Sequence, residues 1–499
     1  MVAELSGVLS SGDSRAISIA HPIMRWIPES QPKMPAAPNE GNLAILDKLW
    51  IGPEKLNMRR AAIVVFFVVA ALLFIRQPAA IFQAGFYGED GKIFFKQQYE
   101  MGFRDSVITP YAGYLPTAPR IVAWACSVLP LEYLPFAYAM ISLLAAAGVL
   151  AFFCLPNFRH VIKSDSLRIT LVMVFTLMPN AEPLMKAAFL GWYLLFFLAL
   201  VTLMELPQRL PAFWLLLLPA VLTAWTTPVA IVCLPLTVLR AWMTKDVRER
   251  AWWSVLTLAL ITYPLMAERP PGLMAMLLHD SDWKLALVRC IGYRVFCFFF
   301  FGQTAMYPFP SEGWNVILGI SLVLAVICVA IAIRLARQHS RSGLSRWSSI
   351  ILLYLILGLP AMFVLRTQWL RYFLPWDEAC WEFNGRYFFC STLLMGVFWG
   401  VAYERLWFEW FTNKISRRQW ATVLMIAWLS LHIASFRLDS WNIHTPWSHF
   451  SEQIRAAQVR ADQSGKRELV YVATRAAGFD FDLVVKPKAP KPADQSSAR

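Results

Sequence analysis

The chain is poor in charge, cysteine and histidine. Only 16% of its 499 residues are charged, with eight cysteines and seven histidines. A soluble domain carries about 25% charged residues, so the deficit argues against one. The cysteines fall mostly inside apolar stretches (Cys126, Cys154, Cys233, Cys328, Cys390). They read as small core residues, which excludes a disulfide or metal framework. The histidines are scattered, and no Cys/His spacing suits a structural metal site. His160, His339 and His432 lie in cytoplasmic or apolar settings and are assigned no chemistry. The phosphate-cradling GxxxxGK[ST], the GxSxG elbow and the HExxH zinc motif are all missing. No internal repeat suggests a transporter built of two related halves, and no linker divides the hydrophobic region.

What the chain has instead is hydrophobic length. Apolar residues make up 58% of it and mean hydropathy is +0.49. Runs long enough to cross a bilayer, at about 20 residues each, recur from Ala61 to Phe436. The expected class is all-α, a polytopic transmembrane helical bundle of about eleven spans. The spans fall near 61–79, 132–155, 169–181, 187–204, 212–226, 228–240, 251–270, 313–334, 347–365, 386–404 and 420–436. The stretch from Phe213 to Trp242 reads as two short helices, broken at Thr226-Thr227-Pro228, because proline removes a backbone donor and disfavours helix before it.

Charge supports the break. The net charge of +14 gathers in short loops. These are Arg159/Lys163/Arg168, Arg209, Arg240/Lys245/Arg248/Arg250, Arg334/Arg337/Arg341/Arg346 and Arg405/Lys414/Arg417/Arg418, with Arg59 and Arg60 before the first span. Two helices put every cluster on one side, the cytoplasmic side by the positive-inside rule. The N-terminus is then cytoplasmic and the C-terminus extracytoplasmic, in a multi-pass protein of the bacterial inner membrane. The basic loops are an orienting bias and not a nucleic-acid footprint.

Three regions follow. Residues 1–57 are polar and Pro-rich, and read as a disordered or loosely attached cytoplasmic tail; Met58-Arg59-Arg60 looks like a natural start of translation. Residues 58–438 form the transmembrane domain, with outward segments 80–131, 271–312 and 366–385. Residues 439–499 form an extracytoplasmic tail, with an amphipathic stretch at Phe450–Ile454, a strand-like run at Glu468–Val472 and a disordered-looking end. Trp and Tyr crowd the edges of the outward segments, as rings at headgroup level do.

The richest chemistry lies in Tyr87-Gly88-Glu89-Asp90-Gly91, just past the first span. Glycine lets the backbone turn tightly and approach a ligand. A carboxylate at a half-apolar interface can take a proton from a hydroxyl, or hold a divalent metal such as Mg²⁺ or Mn²⁺ against a phosphate. Acids in a first turn also cap helices, here one expected from about Lys92. Outer arginines, Arg120, Arg294, Arg371 and Arg386, suit a bidentate grip on phosphate, or snorkel to ordinary headgroups. Tyr111, Tyr114 and Trp381 can stack on sugar faces. His279, in His279-Asp280-Ser281-Asp282, and Asp377-Glu378 are further polar outer groups.

The acidic pair in the first outward loop, the many helices with a proline-broken pair, and the stretches Tyr111–Arg120 and Asn384-Gly385-Arg386-Tyr387 resemble the GT-C superfamily of integral membrane glycosyltransferases. The likeness spans about 58–440 in layout and some forty residues in motif. The family's acidic motif is often a spaced or paired Asp, and here the first acid is Glu, which leaves open which carboxylate is the base. The resemblance implies transfer of a hexosyl or pentosyl unit from a polyprenyl-phosphate donor to a glycan, lipid or protein acceptor at the outer face. Asp90 or Glu89 would be the base or metal ligand, with the donor phosphate on Arg371, Arg386, Arg294 or Arg120. Two other readings stay open. A surface-polysaccharide ligase or polymerase would use outer arginines and His279. A transporter or flippase of lipid-linked glycans would need ionisable residues in mid-helix, and the spans hold few.

Overall fold

Apolar sequence that recurs at helix length gives a mostly helical chain. The computed structural model describes residues 58–179, 184–266, 282–302, 314–337, 343–366, 385–407, 415–433, 447–472 and 480–488. All eleven expected spans coincide with helices: α1 (Met58–Arg76), α4 (Leu134–Phe152), α5 (Asp165–Phe175), α6 (Leu190–Leu203), α7 (Leu210–Ala224), α8 (Leu234–Met243), α9 (Val247–Met266), α11 (Trp314–Arg337), α12 (Gly343–Arg366), α13 (Arg386–Ala402) and α14 (Ile415–Ile433). Among the described residues, three helical stretches are long and apolar enough to cross a membrane: Met58–Arg76, Leu131–Phe152 and Val316–Arg337. Shorter apolar helices accompany them, and together they mark a multi-pass membrane protein. The expected tail 1–57 lies outside the described residues.

Burial sorts helices of similar hydropathy. In α6 every residue except Trp192 is buried, so this helix is the axis of the bundle. In α11, Val316, Leu322, Val323 and Val326 are exposed, a face fit for lipid chains. The broken pair is as expected. Helix α7 ends at Ala224, a 3₁₀ turn runs over Pro228–Cys233, and α8 returns. The return brings Arg240 back to the far end of α6, where its Nη2 donates to the Met204 carbonyl at 2.8 Å.

Parts of three basic loops meet at that same end. Arg405 donates to the His160 and Val161 carbonyls. The Glu404 carboxylate accepts the Lys163 and Ser164 N–H groups at 2.9 and 2.7 Å. Arg159 and Arg168 both pair with Asp165.

Two segments hold more structure than their sequence suggested. The first is the segment 271–312, read as outward. It contains α10 (Asp282–Ile291), which continues through a π-helical stretch, Gly292–Cys297, to Phe301. From Cys290 to Phe299 this helix buries apolar side chains in the bundle core. A Cβ on Gly292 would come within 2.6 Å of Ser321, so glycine is what lets α10 lie directly on α11. Charges at Asp282, Lys284, Arg289 and Arg294 hide its apolar face from a composition reading.

The second is the C-terminal region, read as a tail. It holds α15 (Trp447–Ser464) and an antiparallel hairpin of β1 (Glu468–Val472) and β2 (Phe481–Val485), in the register Val470 opposite Leu483. The hairpin alternates buried Val470, Val472, Phe481, Leu483 and Val485 with exposed Leu469 and Tyr471, the period of a half-buried sheet. Its inner face and α15 share a hydrophobic cluster with Phe86, Phe94 and Phe95 of segment 80–131. The Trp447 indole donates to the Leu131 carbonyl at 2.6 Å and meets the Phe86 ring edge-on at 4.7 Å. Glu100 accepts the Val484 N–H at 2.7 Å. The module thus packs against the segment that carries the acidic pair.

Candidate functional site

Segment 80–131 turns at Tyr87, whose carbonyl accepts the Asp90 and Gly91 N–H groups at 2.7 and 3.3 Å. A π-helical stretch, Asp90–Phe95, follows, then α2 (Lys96–Ile108). A π-helix widens the turn by a residue and is frequent at functional sites.

Asp90 is 3% exposed. Its Oδ1 accepts the Ala188 N–H at 2.6 Å and its Oδ2 the Ala187 N–H at 3.2 Å. The carboxylate therefore caps the 3₁₀ turn Ala187–Phe189 that leads into α6, and not the helix near Lys92 that the sequence suggested. It satisfies two of the donors that a helix start leaves open. Burial raises its pKa to about 7; the Ala188 N–H opposes, Glu89 adds to the rise, and the Ala187 N–H and Lys186 oppose further. The adjoining cavity, lined by Gln77, Tyr87, Tyr138 and Lys186 among others, has about 20 Å³ of free space, room for one water and not for a sugar.

Glu89, one residue earlier, is half-buried. Its Oε1 accepts from the Tyr111 hydroxyl at 3.3 Å. Tyr111 and Tyr114 close a tight turn by exchanging backbone bonds of 2.8 and 3.0 Å, with Ala112 and Gly113 at positive φ as such turns require. Burial and then Glu89 raise the Tyr111 pKa, while Arg386 opposes. Arg386, at the start of α13, therefore lies within electrostatic reach of this pair. Its guanidinium carbon sits 4.1 Å from the Phe189 ring centroid, and Nη2 donates to the Tyr387 hydroxyl at 3.0 Å. Lys186 approaches from the other side, its Nζ 4.1 Å over Tyr87 and 5.4 Å from Phe189. Tyr111 thus joins Glu89 to the field of Arg386, while Lys186 acts on Asp90.

Arg120, on α3 (Thr117–Cys126), is 1% exposed. Its Nη2 donates to Gln97 Oε1 at 3.0 Å, while Nε and Nη1 find no hydrogen-bond partner among the described residues. Burial lowers its pKa to about 10, and nearby Tyr114 opposes. The start of α3 is tied to the broken pair: Ala118 N–H donates to Thr226 Oγ1 at 3.1 Å and Thr117 Oγ1 to the Trp225 carbonyl at 2.8 Å. The proline break therefore has a local use: it exposes polar groups that hold the Arg120 helix.

The sequence candidates do not all converge. Glu89, Asp90, Tyr111, Tyr114 and Arg386 come together, with Arg120 next to Tyr114. Arg294 is buried in α10's π-helical stretch, 5.0 Å from the Phe298 ring. Arg371, Trp381 and His279 lie outside the described residues. Sequence reading missed Lys186 and Phe189. A signal for Lys186 existed: it is a lone lysine between two apolar runs, remote in sequence from the basic loops. A divalent cation does not fit this cluster. Such cations take several oxygen ligands, whereas Asp90 is committed to two N–H groups beside Lys186. No group of three His, Cys, Asp or Glu able to hold a metal occurs among the described residues.

No family model, curated protein or solved structure matches the chain.

Proposed function

We propose that this chain is a membrane glycosyltransferase of GT-C-like fold that moves a sugar from a polyprenyl-phosphate-linked donor to an acceptor hydroxyl at the outer face. The observation that carries the proposal is the half-buried Glu89 carboxylate, held by the Tyr111 hydroxyl within reach of Arg386. In this reading Glu89 takes the acceptor proton and the acceptor oxygen attacks the anomeric carbon. The bond from that carbon to the phosphate oxygen breaks with inversion, and the lipid phosphate leaves with both electrons. Arg386 and Arg120 face that phosphate, and the part-met N–H groups of Arg120 suit it. Tyr111 and Tyr114 offer ring faces to the sugars. Asp90 positions the segment by capping the turn that leads into α6. The orientation that accompanies this reading has eleven crossings, with the N-terminus cytoplasmic, the C-terminal module extracytoplasmic and the protein in a bacterial inner membrane.

The test is a glycan-product assay on Glu89→Gln, with Asp105→Asn as control. A positioned base contributes about 10²–10⁴-fold in rate. Glu89→Gln is expected to lose that much while remaining folded in the membrane, and Asp105→Asn to retain activity. Equal activity in the two variants would exclude the acid-pair mechanism.

A further inference from the structure

A second site lies at the opposite end of the bundle. Helix α6 follows the turn capped by the Asp90 carboxylate, and its fourteen residues at about 1.5 Å each carry the chain roughly 21 Å away. There Thr202 and Glu205 enter a groove of about 1110 Å³, bounded also by α8, α9 and α12. The size exceeds the ~300–1,000 Å³ of ordinary small-molecule pockets. One wall is apolar: Leu239, Met243, Trp347, Ile350 and Tyr354 line it, and all five are exposed. That wall is therefore continuous with the outer surface of the bundle and open to lipid chains.

The polar end of the groove is formed by Arg240, Glu205 and Glu249. The Arg240 guanidinium is fixed, with Nη2 on the Met204 carbonyl at 2.8 Å and its carbon 4.7 Å over the Trp253 ring. Its buried Nε has no hydrogen-bond partner among the described residues. The Glu205 side chain is 63% exposed, with His160 Nδ1 3.7 Å from Oε1. Arg240 feels both Glu249 and Glu205, so the three charges share one neighbourhood.

We propose that this groove binds one bilayer phospholipid with an amine-bearing zwitterionic headgroup, its phosphate on Arg240, its ammonium between Glu205 and Glu249, and an acyl chain along the Trp347 wall. Charge complementarity selects this occupant. Two carboxylates face one guanidinium, so a lipid bearing only a phosphate leaves the acids uncompensated. A headgroup with both charges pairs with all three. An apolar wall beside a fixed guanidinium and nearby acids suits an amphiphile and not a soluble metabolite.

The test uses the full-length chain, delipidated in nonionic detergent and offered phosphatidylethanolamine or phosphatidylglycerol with identical acyl chains. Retention is read by native mass spectrometry. The wild-type protein should hold one phosphatidylethanolamine about tenfold more tightly than phosphatidylglycerol, as expected of a charge-assisted pair. The double variant Glu205→Gln/Glu249→Gln should lose that preference, and Arg240→Gln should weaken retention of both lipids. Arg240 also holds the Met204 carbonyl, so the double variant decides the matter. Equal retention of the two lipids by the wild type, or a preference that survives in the double variant, overturns the proposal.

Discussion

At the scale of single residues, the two adjacent acids have separate situations. Asp90 turns inward and is spent on the N–H groups of Ala187 and Ala188, whereas Glu89 stays half-exposed beside Tyr111. The difference has a pH consequence. Burial keeps the Asp90 carboxyl neutral up to about 7, while an unfolded chain ionises it near ~3.9. The folded state therefore binds the extra proton between those values. Stability from this group is full below the unfolded value and is lost as pH rises through about 7. Thermal unfolding should show it: the wild type should be relatively more stable at pH 5.5 than at pH 8, and Asp90→Asn should lose that difference. A slope unchanged in Asp90→Asn would assign the pH effect to another group. The pair itself was legible in the sequence because two acids among glycines stand out beside an apolar span. Which acid faces inward was not legible, because Lys186 and the Ala187 turn reach it from about a hundred residues away.

At the scale of elements, aromatic packing joins the C-terminal module to the acidic segment. Trp447 is buried against Phe86 and Phe95, with its N–H bonded to Leu131. Truncating such a residue costs about 3–5 kcal/mol. Trp447→Ala should thus release the module, read as faster proteolysis between α14 and β1, and should lower activity through the loosened Phe95 end of the π-helical stretch. Proteolysis at the wild-type rate would mean that the module is held elsewhere. Sequence periodicity found the pieces of this module, an amphipathic run and a strand. It could not find their docking, since a two-stranded hairpin is marginal alone and depends on Phe95 and Glu100 far earlier in the chain.

At the scale of the molecule, the loop of His160, with Arg240 and Arg405, lies at the end of α6 opposite the acidic pair. Reporter fusions after Arg248 and after Gly465 should report opposite compartments, cytoplasmic and extracytoplasmic. The same compartment for both would break the eleven-crossing scheme, and α10, absent from that scheme, would be the element to revisit.

The sequence by itself determined the helical class, the place of most of its apolar segments, the break at Pro228 and the short loops that collect Arg and Lys. Each of these follows from local properties: hydropathy over a span, the missing proline donor, and charge beside a span. Only the tertiary structure decided that α6 is the buried axis while α11 faces outward, because both are apolar all round and composition cannot tell protein from lipid as a neighbour. It alone made α10 a core helix, through the contact of Gly292 with Ser321, and it alone separated Glu89 from Asp90, because burial and backbone partners come from segments distant in the chain.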